Sequence, residues 1–152
     1  MDHPALARSI LDTVTYAVLS TADADGTPWA TPVWFAHDRC HAYYWVSAPD
    51  TRHSRNLVAR PEIALVVFDS TAAPNAGQAV YASGRAEQVA DPSSLAHGLA
   101  VFSARTEVHG TGAWDASRVR APARLRLYRA DVDQVWILDP DSPVDERVTV
   151  AL

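Results

Sequence analysis

The spacing of apolar residues predicts a helix at the start of the chain. Leu6, Ile10, Leu11 and Val14 form one stripe, Asp2 or His3 can cap it, and Pro4 suits its first turn. From Thr15 the period shortens, and residues 16–21 read as a strand. The run 24–28 contains Asp25-Gly26 and is a hairpin signal, with residues 29–36 as the second strand. His37-Asp38-Arg39 turns the chain into a third strand, 42–47. A short helix over 52–60 stops at Pro61. Residues 63–68 are an almost unbroken apolar run, the pattern of a strand buried on both faces.

The second half continues with longer elements. Residues 70–77 are a loop of small residues, Pro and Gly, and 78–89 a long strand in which Gly84 marks a bulge or bend. Asp91 and Pro92 start a second long helix with Leu95, Leu99 and Phe102 on one face. Residues 107–113 read as loop and 114–119 as one helical turn; 123–129, 134–138 and the short 147–152 read as strands. Antiparallel strands on short connections, without alternating β and α units, predict a mainly β chain with helices (α+β). Five or six strands closing into a barrel, flanked by two or three helices, leave no open sheet edge.

Composition narrows this picture. At 152 residues the chain is read as one domain, 1–152, with a sizeable core. A hydrophobic share of 48% and a charged share of 20% belong to a folded chain and exclude a disordered one. The net charge of −5 argues against a general nucleic-acid binder. All 13 basic residues are Arg, and without Lys there is no Schiff-base lysine chemistry. The single cysteine, Cys40, excludes an internal disulfide and fits a reducing compartment. No apolar run approaches membrane-spanning length and no leader pattern opens the chain, so a cytoplasmic protein without membrane contact is expected.

Candidate chemistry concentrates after the third strand. The aromatic run ending at Trp45-Val46-Ser47 breaks at Pro49-Asp50, Asp50 or Thr51 can cap the next helix, and its first turn carries Arg52, His53, Ser54 and Arg55. Free N–H groups and the helix dipole favour an anion at such a place, and Arg adds a forked, permanent cation. On these residues alone two readings stay open: a phosphate seat, or a solvated basic face paired with nearby acids.

Other motifs carry less. His37, Cys40 and His41 cluster at the second hairpin, but their spacing matches no structural-zinc pattern, so no metal is assigned. His97 and His109 read as surface residues. A nucleophile elbow is absent, and Gly110-Thr111-Gly112 lacks the strand-before, helix-after context of a dinucleotide loop. Among the tryptophans, Trp29, Trp34 and Trp114 read as core or subunit interface, whereas Trp45 and Trp136 are taken as ligand platforms.

In order, these motifs resemble the pyridoxamine 5′-phosphate oxidase-like, FMN-binding split β-barrel family. The resemblance rests on LSTADADGTPWATPVWF at 19–35, WVS at 45–47, TRHSRNL at 51–57, RPEIALV at 60–66, and the strand 80–89 with SGRAE at 83–87. It covers roughly residues 6–139 and is closest between 19 and 89. The implied fold is a six-stranded antiparallel split β-barrel of Greek-key order, and the implied assembly a homodimer with two FMN sites at the subunit interface.

Carried over by position, the resemblance implies that Val46 and Ser47 approach the flavin ring. Arg52 and His53 hold the phosphate, with Ser54 beside them. Thr31, Pro32 and Val33 line the ribityl chain and ring, and Trp136 closes the site from the partner subunit. Relatives with this barrel hold FMN, a deazaflavin or heme, and some hold nothing, so a deazaflavin-dependent reductase and a non-catalytic flavin- or heme-binding dimer also stand. The vitamin B6 oxidase itself carries Arg where this chain has Thr31 and Lys where it has His53. Its carboxy-terminal basic motif is only loosely echoed at 124–129. The expectation is an FMN-dependent oxidoreductase for another small molecule. Neutral His53 still donates one hydrogen bond, and near pH 6.5 it adds charge. No catalytic acid or base is assigned, because hydride transfer at a flavin requires none.

Overall fold

The structure, a computed structural model, describes residues 2–152. Helix α1 spans His3–Thr13, and its cap is Asp2, whose carboxylate accepts from the Ala5 N–H at 3.0 Å. The stripe buries Ala7 and Leu11 fully and packs Leu6, Ile10 and Val14 at the edge of the same core. Two further helices follow, α2 (Arg52–Ala59) and α3 (Pro92–Val108), with a 3-10 turn at Ala116–Arg118. Among the described residues no helix is long and apolar enough to cross a membrane.

Among the described residues, eight strands form one antiparallel sheet: β1 (Tyr16–Ala22), β2 (Pro28–Trp34), β3 (Ala36–Asp38), β4 (Ala42–Ser47), β5 (Glu62–Phe68), β6 (Ala79–Gln88), β7 (Arg126–Leu138) and β8 (Arg147–Thr149). Their order is β2-β1-β5-β6-β7-β4-β3, with β8 added on β7. The two end strands are consecutive in sequence and joined by Phe35 alone, so the sheet curls back on itself as a split barrel.

The count of eight corrects the expected six. The second strand is two, because the Phe35 N–H turns aside to the Thr15 carbonyl at 3.2 Å and β3 then pairs with β4. Conversely, the strands expected at 123–129 and 134–138 are one. Ser83 pairs with Gln134 but Gly84 with Val132, so Asp133 is absorbed as a bulge and β7 runs on through its polar middle. Only glycine fits at 84. A Cβ there would overlap the Asp131 carbonyl oxygen and lie 2.9 Å from its carbon.

The apolar run of β5 is also corrected. Ile63, Leu65 and Val67 are buried, but Ala64 and Phe68 are exposed, because no helix covers that outer face. The strand with both faces covered is β4. Tyr43 and Trp45 point into the barrel core with Leu19, Phe35, Leu65 and Ile137. Tyr44 and Val46 point the other way, into a second cluster under α3 with Leu95, Leu99, Phe102 and Leu127.

The bulge gives a direct test. Gly84→Ala should cost about 2–3 kcal/mol as the backbone gives way, while Gly77→Ala, where a Cβ meets nothing within 4 Å, should stay within about 0.5 kcal/mol of the parent. Urea midpoints of the two variants measure the difference.

Candidate functional site

The site begins where β4 ends. The chain turns at Ala48-Pro49-Asp50, the Thr51 N–H returns to the Ala48 carbonyl at 3.2 Å, and α2 starts with Thr51 as its cap. Thr51 Oγ1 lies 2.9 Å from the Ala48 carbonyl and 2.8 Å from Ser54 Oγ. With one hydrogen, it serves the carbonyl and accepts from the serine. His53 folds back over the strand end, its Nε2 at 2.8 Å from Ser47 Oγ and 3.2 Å from Thr51 Oγ1. Ser47, His53 and Ser54 are all buried in this hydroxyl–imidazole cluster.

Burial pushes the His53 pKa below its ordinary 6.5. This corrects the expectation that His53 charges near that pH: at neutrality it is a neutral hydrogen-bonding group. Positive charge at the helix start therefore comes from arginine. Arg55 donates to the Asp50 carbonyl and Arg60 to the Ala24 carbonyl, the latter at 3.0 Å. Arg52 lies exposed, its guanidinium 4.6 Å from the centroid of the Trp29 ring. Among the described residues no carboxylate pairs with it, and the first turn of α2 holds no acid.

The remaining residues named from sequence are distributed as follows. Thr31 is half-buried beside this mouth of the barrel, Pro32 is exposed on the outer surface of β2, and Val33 belongs to the barrel core. Val46, the neighbour of Ser47, faces outward into a pocket of ≈ 240 Å³ lined also by Trp34, Phe102, Thr106, Thr111, Trp114 and Arg118. Its walls are aromatic. Trp34 meets Phe102 edge-on at 5.3 Å, Phe102 meets Trp114 edge-on at 5.5 Å, and Arg118 lies over the Trp114 ring. Trp136 is half-buried on β7, beside Tyr81 of β6 and four strands from β2 in sheet order, so one chain does not bring it to the mouth.

One tryptophan assignment changes. Trp45 is only 1% exposed and stacks on Tyr128 at 5.9 Å, so it is core and not a ligand platform. Trp34 and Trp114, read as core or interface, pack against the second core cluster and also wall the pocket. Strand alternation carried a signal for Trp34, which shares the outer face of β2 with Pro32. Nothing local to residues 102–118 placed that segment against β4. At the second hairpin, His37 is used internally: Nδ1 accepts from the Cys40 N–H at 3.2 Å and Nε2 sits 3.0 Å from Asp12.

The sequence family model for pyridoxamine 5′-phosphate oxidase matches residues 4–139. The chain belongs to this family. Solved structures of the same fold include HutZ, the heme storage protein of Vibrio cholerae, at 20% identity and a TM-score of 0.70 over 89% of this chain and 94% of that one. A candidate pyridoxamine 5′-phosphate oxidase of Listeria innocua gives 16% identity and a TM-score of 0.65, covering 89% and 97%. An F420 reductase gives 22% and 0.60, covering 84% and 94%. At such identities the likeness is one of fold. No curated protein matches the chain. The family binds flavin-type cofactors, and its fold also serves heme and F420 proteins.

The buried imidazole makes a pH prediction. With its folded pKa depressed, His53 is less protonated in the folded than in the unfolded chain below about pH 6.5. Stability is complete above that value and is lost as pH falls through the folded pKa; His37, also depressed by burial, acts in the same sense. Between pH 7.5 and 5.5 the urea midpoint should fall, and in His53→Gln, which keeps a neutral hydrogen-bonding group for Ser47, it should fall less.

Proposed function

We propose that the chain is an FMN-dependent oxidoreductase that works as a homodimer on a small molecule other than the vitamin B6 phosphates. The observation that carries this reading is the end of β4, where adjacent residues serve two half-sites. Ser47 faces the arginine-bearing start of α2, and Val46 faces the aromatic pocket. FMN has the two matching parts, a phosphate and a flat apolar ring. Arg52, the α2 N–H groups, His53 and Ser54 would hold the phosphate. Val46, Trp34, Phe102 and Trp114 would enclose the ring, with Thr31 and Pro32 along the ribityl chain. The residues fit the group: Arg52 is a cation without a carboxylate partner among the described residues, and the pocket walls are aromatic.

The flavin, when bound, supplies hydride acceptance and donation. The protein binds it, orients it and keeps water from the ring. No side chain of this site is poised as an acid or base, and neutral His53 is committed to Ser47 and Thr51. The same commitment weighs against heme, since ligating iron through Nε2 would cost His53 both hydroxyl contacts. Arg52, in the first turn of α2 with neither a carboxylate nor a backbone carbonyl to hold it among the described residues, suits one phosphate better than the longer anionic tail of a deazaflavin. Thr31 and neutral His53 replace two cations of the B6 oxidase, which is why that substrate is not proposed.

Dimerisation is supported by the uncovered sheet face. Register aligns Pro32, Val18, Val66, Tyr81 and Trp136 in one row across five strands. Nearby Tyr16 and Phe68 are 57% and 42% exposed. Such a row is a partly exposed apolar stripe, the kind of surface that marks a contact between proteins. In a twofold pairing, residues at opposite ends of the row meet their counterparts, so Trp136 of a second copy would reach the Pro32 end.

Two measurements test this reading. FMN titration followed by flavin absorbance should show binding, and Arg52→Ala should weaken it about ten- to a hundredfold, the loss of a charge-assisted contact of about 1.5–3 kcal/mol. An unchanged titration of that variant removes the phosphate assignment, and a Soret band in the purified protein would favour heme. Light scattering should give twice the 16.5 kDa of one chain; a single-chain mass removes the dimer.

A further inference from the structure

One face of α2 closes a circuit with the β1–β2 hairpin. Arg52 and Asn56 stand one helical turn apart. Buried Asn56 donates through Nδ2 to Thr21 Oγ1 at 3.0 Å. Thr21, also buried, reaches the carbonyl of Trp29 at 3.5 Å, its partner across the ladder. The Trp29 ring then returns to the Arg52 guanidinium at 4.6 Å. A turn further on, Arg60 ties the same face to Ala24 at the hairpin tip.

The placement of Trp29 is not explained by burial. It is 39% exposed and belongs to neither core cluster. What it does is restrain Arg52. An arginine in the exposed first turn of a helix samples many rotamers and loses that freedom when it grips an anion. A ring face takes up the plane of the guanidinium and leaves its N–H edges free to donate. We propose that Trp29 is a positioning residue for Arg52, and that the circuit Arg52–Asn56–Thr21–Trp29 makes the site discriminate a phosphorylated flavin from an unphosphorylated one. This rests on the FMN reading above and goes beyond it, because it assigns the selectivity to a residue that does not touch the phosphate.

The test compares FMN with riboflavin, the same ring and ribityl chain without the phosphate. Trp29→Leu should weaken FMN about two- to fivefold, the range of a solvent-exposed cation–π contact, and leave riboflavin affinity unchanged. Trp29→Phe should keep most of the FMN affinity by restoring a ring face. Trp29→Gln, which suits an exposed position, should repeat the selective loss if the leucine variant folds poorly. Equal losses for both flavins would mark a merely structural role and overturn the proposal, as would no loss at all. Either result leaves the FMN reading intact, whereas a parent protein that binds neither flavin overturns both.

Discussion

A strand packed on both faces cannot slip by one residue without sending each buried side chain to the wrong core, and β4 is held under that constraint. Tyr43 and Trp45 commit it to the barrel, Tyr44 and Val46 to the space under α3. Its far end is therefore fixed in position and in facing. Ser47 must point inward and Val46 outward. The start of α2 and the aromatic pocket inherit their relation from that alternation alone. Gly98 of α3 shows how tight the arrangement is: a Cβ there would come within 2.7 Å of the Tyr44 ring.

What could be read from sequence was what is decided locally. Asp91 caps its helix through the Ser94 N–H as its position and the following proline implied, and Thr51 caps α2. The Asp23–Gly26 turn closes as the Asp-Gly pair required. What could not be read was decided by partners distant in the chain. Residues 63–68 announced an appetite for burial but not which face would be covered. Gly84 announced a bulge but not that Asp133, opposite it, would let two expected strands become one. In the candidate site the arginine-bearing helix start was legible because its elements are contiguous. The pocket was not, since Val46 and Trp114 meet only after the sheet has curled.

The arginines show how a chain without lysine distributes its charge. Arg105 reaches from α3 to the carbonyls of Leu11 and Val14, at 2.9 and 2.6 Å, and so fastens α3 to the end of α1. Arg85, Arg129 and Arg147 sit beside Glu62, Asp131 and Asp145. Arg55 and Arg60 serve backbone carbonyls of their own neighbourhood. At the mouth of the barrel Arg52 rests on the Trp29 indole, and at the pocket wall Arg118 rests on that of Trp114, neither with a carboxylate pair among the described residues.

The pairing of β4 with β7 joins residues 42–47 to residues 126–131, partners separated by more than half of the 152 residues. Contacts of such high sequence separation form late, after local hairpins and helices have already closed their shorter loops. During synthesis, the helix start at Arg52 leaves the ribosome well before the strand that must support β4. The wall carrying Trp114 and Arg118 emerges only shortly before that strand. Any ligand that needs both half-sites must therefore wait until the chain has been made through β7.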